Sequence, residues 1–259
     1  MRDLAAERVG EHLRSTFATA LAVGLPFEPG EIETLRAAFV ATRPGAPRIG
    51  LDAALALLGL GGTPPLPASW AARMLGAVGP ETAAGGTVDA LSADDDPAVL
   101  ASLAAAGGEF AARPHLPLRR PETGALARAS GTDTPHDRLA ARFAEIRHAA
   151  ALLRDGAGSA PDSWIASGTL PDRTGFAAVE TPRGRMHHLV AVDAHDRVAS
   201  CAVLAPTEWN FHPDGPFVRR LPGLHVGTGG AAAARIRWLI GLFDPCVACA
   251  VNLTEGADA

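Results

Sequence analysis

The chain has 259 residues, 47% of them hydrophobic, with 23 basic side chains, every one an arginine, against 28 acidic ones, for a formal net charge of -5. A chain of this length buries roughly 70% or more of its unfolded surface, which excludes a small stapled scaffold, and a mild acidic balance without a basic stripe argues against nucleic acid as partner. The three cysteines, Cys201, Cys246 and Cys249, sit toward one end; an odd, sparse set of this kind is a poor disulfide framework and fits reduced thiols in a cytoplasmic protein.

Residues 1–10 carry Arg2, Asp3, Glu7 and Arg8 in place of the basic segment and apolar run of a secretory signal. Apolar stretches such as 17–25 and 53–60 fall short of the roughly 18 to 20 residues that a spanning helix needs, so a soluble protein without a membrane span is expected. From 4 to 23, Ala5, Val9, Leu13, Phe17, Ala20 and Leu21 recur at three- and four-residue steps, the pattern of an amphipathic helix. Further helices are expected at 31–42, 53–58, 69–78 and 97–112, with Asp52 as N-cap of the second of these. The Pro/Gly-rich breaks at 59–67 and 79–86 read as loops. A long helix over 135–153 lines up Leu139, Phe143, Ile146, Ala150 and Leu153 on one side. Beyond it the period shortens. Residues 176–180, 186–192 and 198–204 read as strands, the last two joined by a hairpin at 193–197, and 235–242 reads as a helix packed on their sheet. The fold class is therefore α+β, predominantly helical, with a small antiparallel sheet near the C-terminal cysteines.

Asp244 and Pro245 suit the N-cap and first position of a helix, which would put Cys246 and Cys249 in its first turns, on one face. A helix N-terminus lowers a thiol's pKa, and two thiolates three residues apart chelate one soft metal ion. Taken alone, the pair leaves metal binding, redox chemistry and buried packing open. A closed zinc site needs two more ligands, for which Cys201 and one of the histidines are candidates. Other features have plain structural readings. Arg183 alone reads as a surface arginine on a carboxylate, Thr207 as a cap, Trp209 and Phe211 as core, and Cys201 as a buried, inert thiol. Asp94, Asp95 and Asp96 read as a solvated loop and cap, residues 227–230 as a helix entry, and His212 and His225 as loop residues. Adjacent strand residues face opposite sides, so at most one of His187 and His188 points to a site.

Four stretches, in order, resemble the motifs of nickel-iron hydrogenase large subunits. Residues 243–252, FDPCVACAVN, are similar to the C-terminal DPCxxCxxH. Glu180-Thr181-Pro182-Arg183-Gly184 with His188 resembles E-x-P-R-G-x-L-x-H, Met186 replacing leucine. Pro206-Thr207-Glu208-Trp209-Asn210 resembles P-T-T-W-N, and residues 122–128 resemble E-x-G-P-L-A-R. The resemblance covers roughly 117–253, so the chain divides into a helical region, 1–116, and a large-subunit-like region, 117–259, together one compact unit.

In that family an iron ion carries two cyanides and one carbon monoxide. The resemblance implies that Cys249 matches a sulfur bridging nickel and iron and Cys246 a terminal nickel ligand. It implies also that Arg183 and Thr207, with Pro206 beside them, match donors to the cyanide nitrogens, and that His188 matches a histidine near the cysteines. A guanidinium is a fixed, charge-assisted donor for such an acceptor. The departures count equally. The family's second CxxC, near the N-terminus, is missing, so two of four thiolates are absent and nickel is not expected. Asn252 stands where the family has a terminal histidine, which argues against maturation by C-terminal proteolysis. A large-subunit-like chain with half a site resembles the HupK/HoxV type of hydrogenase accessory protein. That implies a non-catalytic maturation scaffold for the Fe(CN)2(CO) unit, transiently bound, with the hydrogenase large-subunit precursor and hydrogenase maturation proteins as partners. The alternatives are a catalytic or degenerate hydrogenase-like subunit, and an interaction decoy that kept the fold and lost the metal.

Overall fold

A computed structural model describes residues 2–78, 86–155, 164–222 and 224–254. The loop expected at 79–86 lies, except for its last residue, outside the described residues. In chain order come α1 (Arg2–Ala22), α2 (Glu31–Ala41), α3 (Leu51–Leu57), α4 (Trp70–Val78), α5 (Asp96–Ala112), α6 (Ala125–Ala129) and α7 (Pro135–Asp155). Then follow β1 (Ile165–Leu170), β2 (Thr174–Thr181), β3 (Gly184–Val192), β4 (Val198–Leu204), α8 (Pro206–Asn210), α9 (Pro216–Arg219) and α10 (Gly229–Phe243). The strands form an antiparallel sheet in the order β1-β2-β3-β4. The α+β, predominantly helical architecture is thus the expected one.

The apolar spacing of α1 and α7 explains why they pair. Val9 and Leu13 of α1 and Leu139, Phe143 and Ile146 of α7 are fully or almost fully buried in one core, with Trp70 and Met74 of α4 and Trp238, Leu242 and Phe243 of α10. Each such Leu, Ile or Phe contributes roughly 1.5–3 kcal/mol by leaving water. A second core joins Val99, Leu103 and Phe110 of α5 to Leu189 of β3, Leu204 of β4 and Trp209 of α8.

Several local expectations are corrected. Asp52 is not a cap: it lies inside the first turn of α3, whose N-cap is Gly50, and its carboxylate accepts from Arg154 Nε and Nη2, both at 3.1 Å. The helix expected at 235–242 starts earlier, at Gly229, and packs on α1 and α7 rather than on the sheet. Strand β1 was not expected, because IASGTL has no strong alternation and is mostly exposed as an edge strand. Cys201 is exposed on β4, not buried. Asp96 is no solvated loop residue: it is buried and takes Arg185 and His187 as partners. No helix among the described residues is long and apolar enough to cross a membrane.

Candidate functional site

Arg183 stands at the tip of the β2–β3 hairpin. Thr181 pairs with Gly184, so Pro182 and Arg183 form the tight two-residue loop that joins these strands. The tip is pinned from several sides. Arg128 Nη2 donates to the Pro182 carbonyl at 3.1 Å, Arg8 Nη2 donates to the Glu180 carbonyl, and the Arg185 N–H donates to Thr123 Oγ1 at 2.7 Å. Gly184 has φ +136°, and a Cβ there would fall 2.5 Å from the Thr123 side chain. Glycine is therefore required by both backbone and space.

The motif around Thr123 is tied in turn to that of residues 206–210. Asn210 of α8 accepts from the Thr123 N–H at 3.0 Å and donates to its carbonyl at 2.9 Å. Pro206, buried, starts α8, and Thr207 follows it. Thr207 Oγ1 accepts from the Cys246 N–H at 3.1 Å and lies 2.8 Å from Cys246 Sγ. The four stretches are thus joined side chain to backbone into one cluster.

Beneath the hairpin runs a buried ionic layer that sequence reasoning did not foresee. Arg8, His12 and Arg128 converge on Glu145, and Arg128 continues to Glu180. Burial alone would raise the Glu145 carboxyl, but Arg128, together with hydrogen bonds from His12 and Arg128, holds it well below the ordinary carboxylate range. Burial dominates at His12 and lowers it. This layer fixes the direction in which the hairpin tip points.

Arg183 is engaged by two carboxylates. Its Nη2 lies 2.9 Å from Glu11 Oε2, and its Nε lies 3.6 Å from Asp244 Oδ1. The latter exceeds hydrogen-bond length, and among the described residues the buried Nε has no hydrogen-bond partner. The plain reading of Arg183 as a carboxylate-paired side chain describes this arrangement, with partners brought from α1 and the end of α10. Asn210 belongs to the stretch that resembles P-T-T-W-N, whereas Glu11 carries no sequence signal of its own and matters through a contact that only the fold creates.

The cysteine pair is placed differently from expectation. Asp244 does not cap a new helix; it is the C-cap of α10, left-handed at φ 51°, and Cys246 and Cys249 follow as exposed, non-helical residues. They sit by the negative end of the helix dipole rather than the positive one. The thiolate preference inferred from a helix N-terminus is therefore absent, and partial burial and the neighbouring Cys246 push the Cys249 thiol up.

Arg183, Asp244, Pro245 and Cys249 line one surface cavity of about 360 Å³ between α1 and α10. His188 is not drawn into this cluster: it is half-buried on the face of β3 opposite the buried His187, and among the described residues it forms no hydrogen bond or ion pair. Cys201, paired with Val190 in the sheet, adds no third ligand. No group of three His, Cys, Asp or Glu able to hold a metal ion occurs among the described residues.

A family model described as nickel-dependent hydrogenase matches residues 123–252, which contain the hairpin arginine, Thr207 and both cysteines. The chain is 39% identical over 262 residues to a hydrogenase expression/formation protein HupK of Rhizobium leguminosarum bv. viciae, covering 96% of this chain and 68% of that protein. It is 38% identical over 176 residues to the HupK of Bradyrhizobium diazoefficiens, covering 65% of this chain and 49% of that one. It thus spans between about half and about two thirds of the length of these relatives. Among solved structures, a crystal structure of an NAD+-reducing NiFe hydrogenase in the H2-reduced state aligns at 20% identity with a TM-score of 0.35, covering 48% of this chain and 34% of that one. The chain belongs to the nickel-dependent hydrogenase family, among the HupK hydrogenase expression/formation proteins.

Proposed function

We propose that this protein is a non-catalytic factor of hydrogenase maturation, on which an iron unit bearing two cyanides and one carbon monoxide is assembled or held before transfer to the hydrogenase large-subunit precursor. The accessory role is supported by relatives that are themselves named hydrogenase expression/formation proteins. The cargo is supported by one observation above all: the fold brings Cys246 to 2.8 Å from Thr207 and sets Cys249 on the same cavity as Arg183.

The donor set suits such a cargo. Thiolates are soft ligands for iron, and a cyanide nitrogen accepts from a guanidinium; Arg183 has a buried Nε without a partner to offer. Thr207 Oγ1 already accepts from the Cys246 N–H, which leaves its own O–H to donate to sulfur or to a cyanide. Two thiolates hold the unit by fewer bonds than a four-thiolate site, which favours release to the precursor.

The test is infrared spectroscopy of protein purified anaerobically from cells that make the cofactor. Bands of iron-bound cyanide and carbon monoxide are expected in the wild type and absent from a Cys246→Ala, Cys249→Ala variant. A wild type without these bands overturns the reading. Hydrogen uptake by the isolated protein with stoichiometric nickel would establish a catalytic subunit in its place.

A further inference from the structure

We infer that Arg237 is an additional anion-binding residue of the cavity beside Cys249, where it meets the cyanide side of the iron unit that the thiolates have made anionic. In its biological form this inference rests on the reading above.

The cavity is built from two helix faces. Arg237 and Gly241 of α10 and its C-cap Asp244 follow one another at four- and three-residue steps, and Arg14, Ala18 and Ala22 of α1 at four-residue steps. Ser15, Ala18 and Ala22 on α1 and Gly241 on α10 leave the space open, and the lining continues through Asp244 and Pro245 to Cys249. Three guanidiniums line the cavity, Arg14, Arg183 and Arg237. Two are committed. Arg183 pairs with Glu11 and lies near Asp244, and Arg14 pairs with the same Glu11. Arg237 is exposed and has no hydrogen bond or ion pair among the described residues. Three lining guanidiniums against the lining Asp244 and the Glu11 that pairs with two of them leave one positive charge in excess, in a chain whose net charge is -5.

That excess matches the charge of the thiolate-bound unit. Ferrous iron with two cyanides and a neutral carbon monoxide carries no net charge by itself; ligated by the Cys246 and Cys249 thiolates it becomes a dianion. Arg183 and Thr207 answer part of the charge, and an unpaired guanidinium across the cavity answers more. Because no carboxylate among the described residues must first be displaced, Arg237 is the cheapest of the three arginines to recruit.

Hexacyanoferrate(II) is a suitable probe, since it presents cyanide nitrogens on an anionic iron and has no open position for a cysteine. Its binding is measured by titration calorimetry at fixed low ionic strength for the wild type, Arg237→Gln and a control, Arg36→Gln, which removes an exposed arginine from α2, away from the cavity. The wild type and Arg36→Gln are expected to bind alike, and Arg237→Gln about tenfold more weakly, the effect of one lost charge-assisted hydrogen bond at a solvent-accessible site. Equal binding by wild type and Arg237→Gln, an equal loss in Arg36→Gln, or no binding by the wild type overturns the inference. The infrared bands report thiolate ligation and calorimetry reports the arginine, so a wild type that binds the probe through Arg237 yet never shows the bands defeats only the earlier reading.

Discussion

Thr207 does two things for Cys246: it takes the backbone N–H and faces the sulfur. A Thr207→Val substitution keeps the shape and removes both. Partners behind a metal ligand typically govern affinity by about ten- to a hundredfold, so Co²⁺ binding to the cysteine pair, followed by thiolate-to-cobalt absorption, is expected to weaken by about tenfold in this variant; unchanged affinity would remove Thr207 from the site. The same titration has a pH dependence of definite sign. A metal displaces the thiol proton, and the Cys249 thiol is pushed above its ordinary value by partial burial and by Cys246, so protons compete throughout the neutral range. Co²⁺ affinity is expected to rise continuously from pH 6 to pH 8. An affinity that has levelled off by pH 7 would mean a thiol pKa lowered rather than raised. At this scale the sequence was most legible where residue type and chemistry coincide: the cysteines, Arg183 and Thr207 were all nameable in advance. Glu11 and Glu145 were not, because a lone glutamate on a helix is ordinary until a distant chain segment arrives beside it.

Among the elements, the β2–β3 hairpin decides the site, because its two-residue loop carries Arg183. The close approach of Gly184 to Thr123 locks that loop against the segment before α6. Replacing Gly184 by alanine forces a Cβ into a positive-φ position and against a side chain at 2.5 Å. The expected cost is about 1–3 kcal/mol, read by chemical denaturation, with little change in helix content. Gly86→Ala, which has open space around it, is expected to change stability by less than half as much. The long helices and the strands with β-branched alternation were readable because burial repeats at their own period. The edge strand β1 was not, lacking that repeat. The cysteine segment misled for a different reason: Asp-Pro is a good helix start, but here the preceding helix α10 ends on the aspartate, and the C-cap role displaces the N-cap one. That reversal turns the nearby dipole around and removes the expected thiolate stabilisation.

At the scale of the molecule, two apolar cores are joined by the ionic layer rather than by a continuous hydrophobic contact. Arg8 of α1, Arg128 of α6 and Glu145 of α7 meet Glu180 of β2, and Arg185 of β3 continues to Asp96 of α5. Such a layer is demanding. Apolar cores tolerate modest change of shape, but a buried charge that loses its partner is strongly destabilising. The site is mounted on this layer, since Arg8 and Arg128 both hold the backbone of the hairpin that presents Arg183. Glu145→Gln leaves the shape intact and strips the counter-charge from Arg8 and Arg128 and the carboxylate partner from His12. The expected loss is about 3–5 kcal/mol of unfolding free energy at pH 7, with weakened metal binding as the hairpin loosens. The acid limb separates this cause from simple misfit. The Glu145 carboxyl is held below its unfolded value of 4.5, so its contribution is complete above that pH and disappears as pH falls through the depressed folded value. Wild-type stability is therefore expected to fall steeply below pH 4.5. In Glu145→Gln that limb becomes shallower, because the group whose protonation drives it is gone, while Asp96, also lowered against its burial by Arg185 and His187, keeps part of the slope. Parallel acid limbs in the two proteins would show that the cost of the substitution comes from packing, and that the hairpin is held by shape rather than by charge.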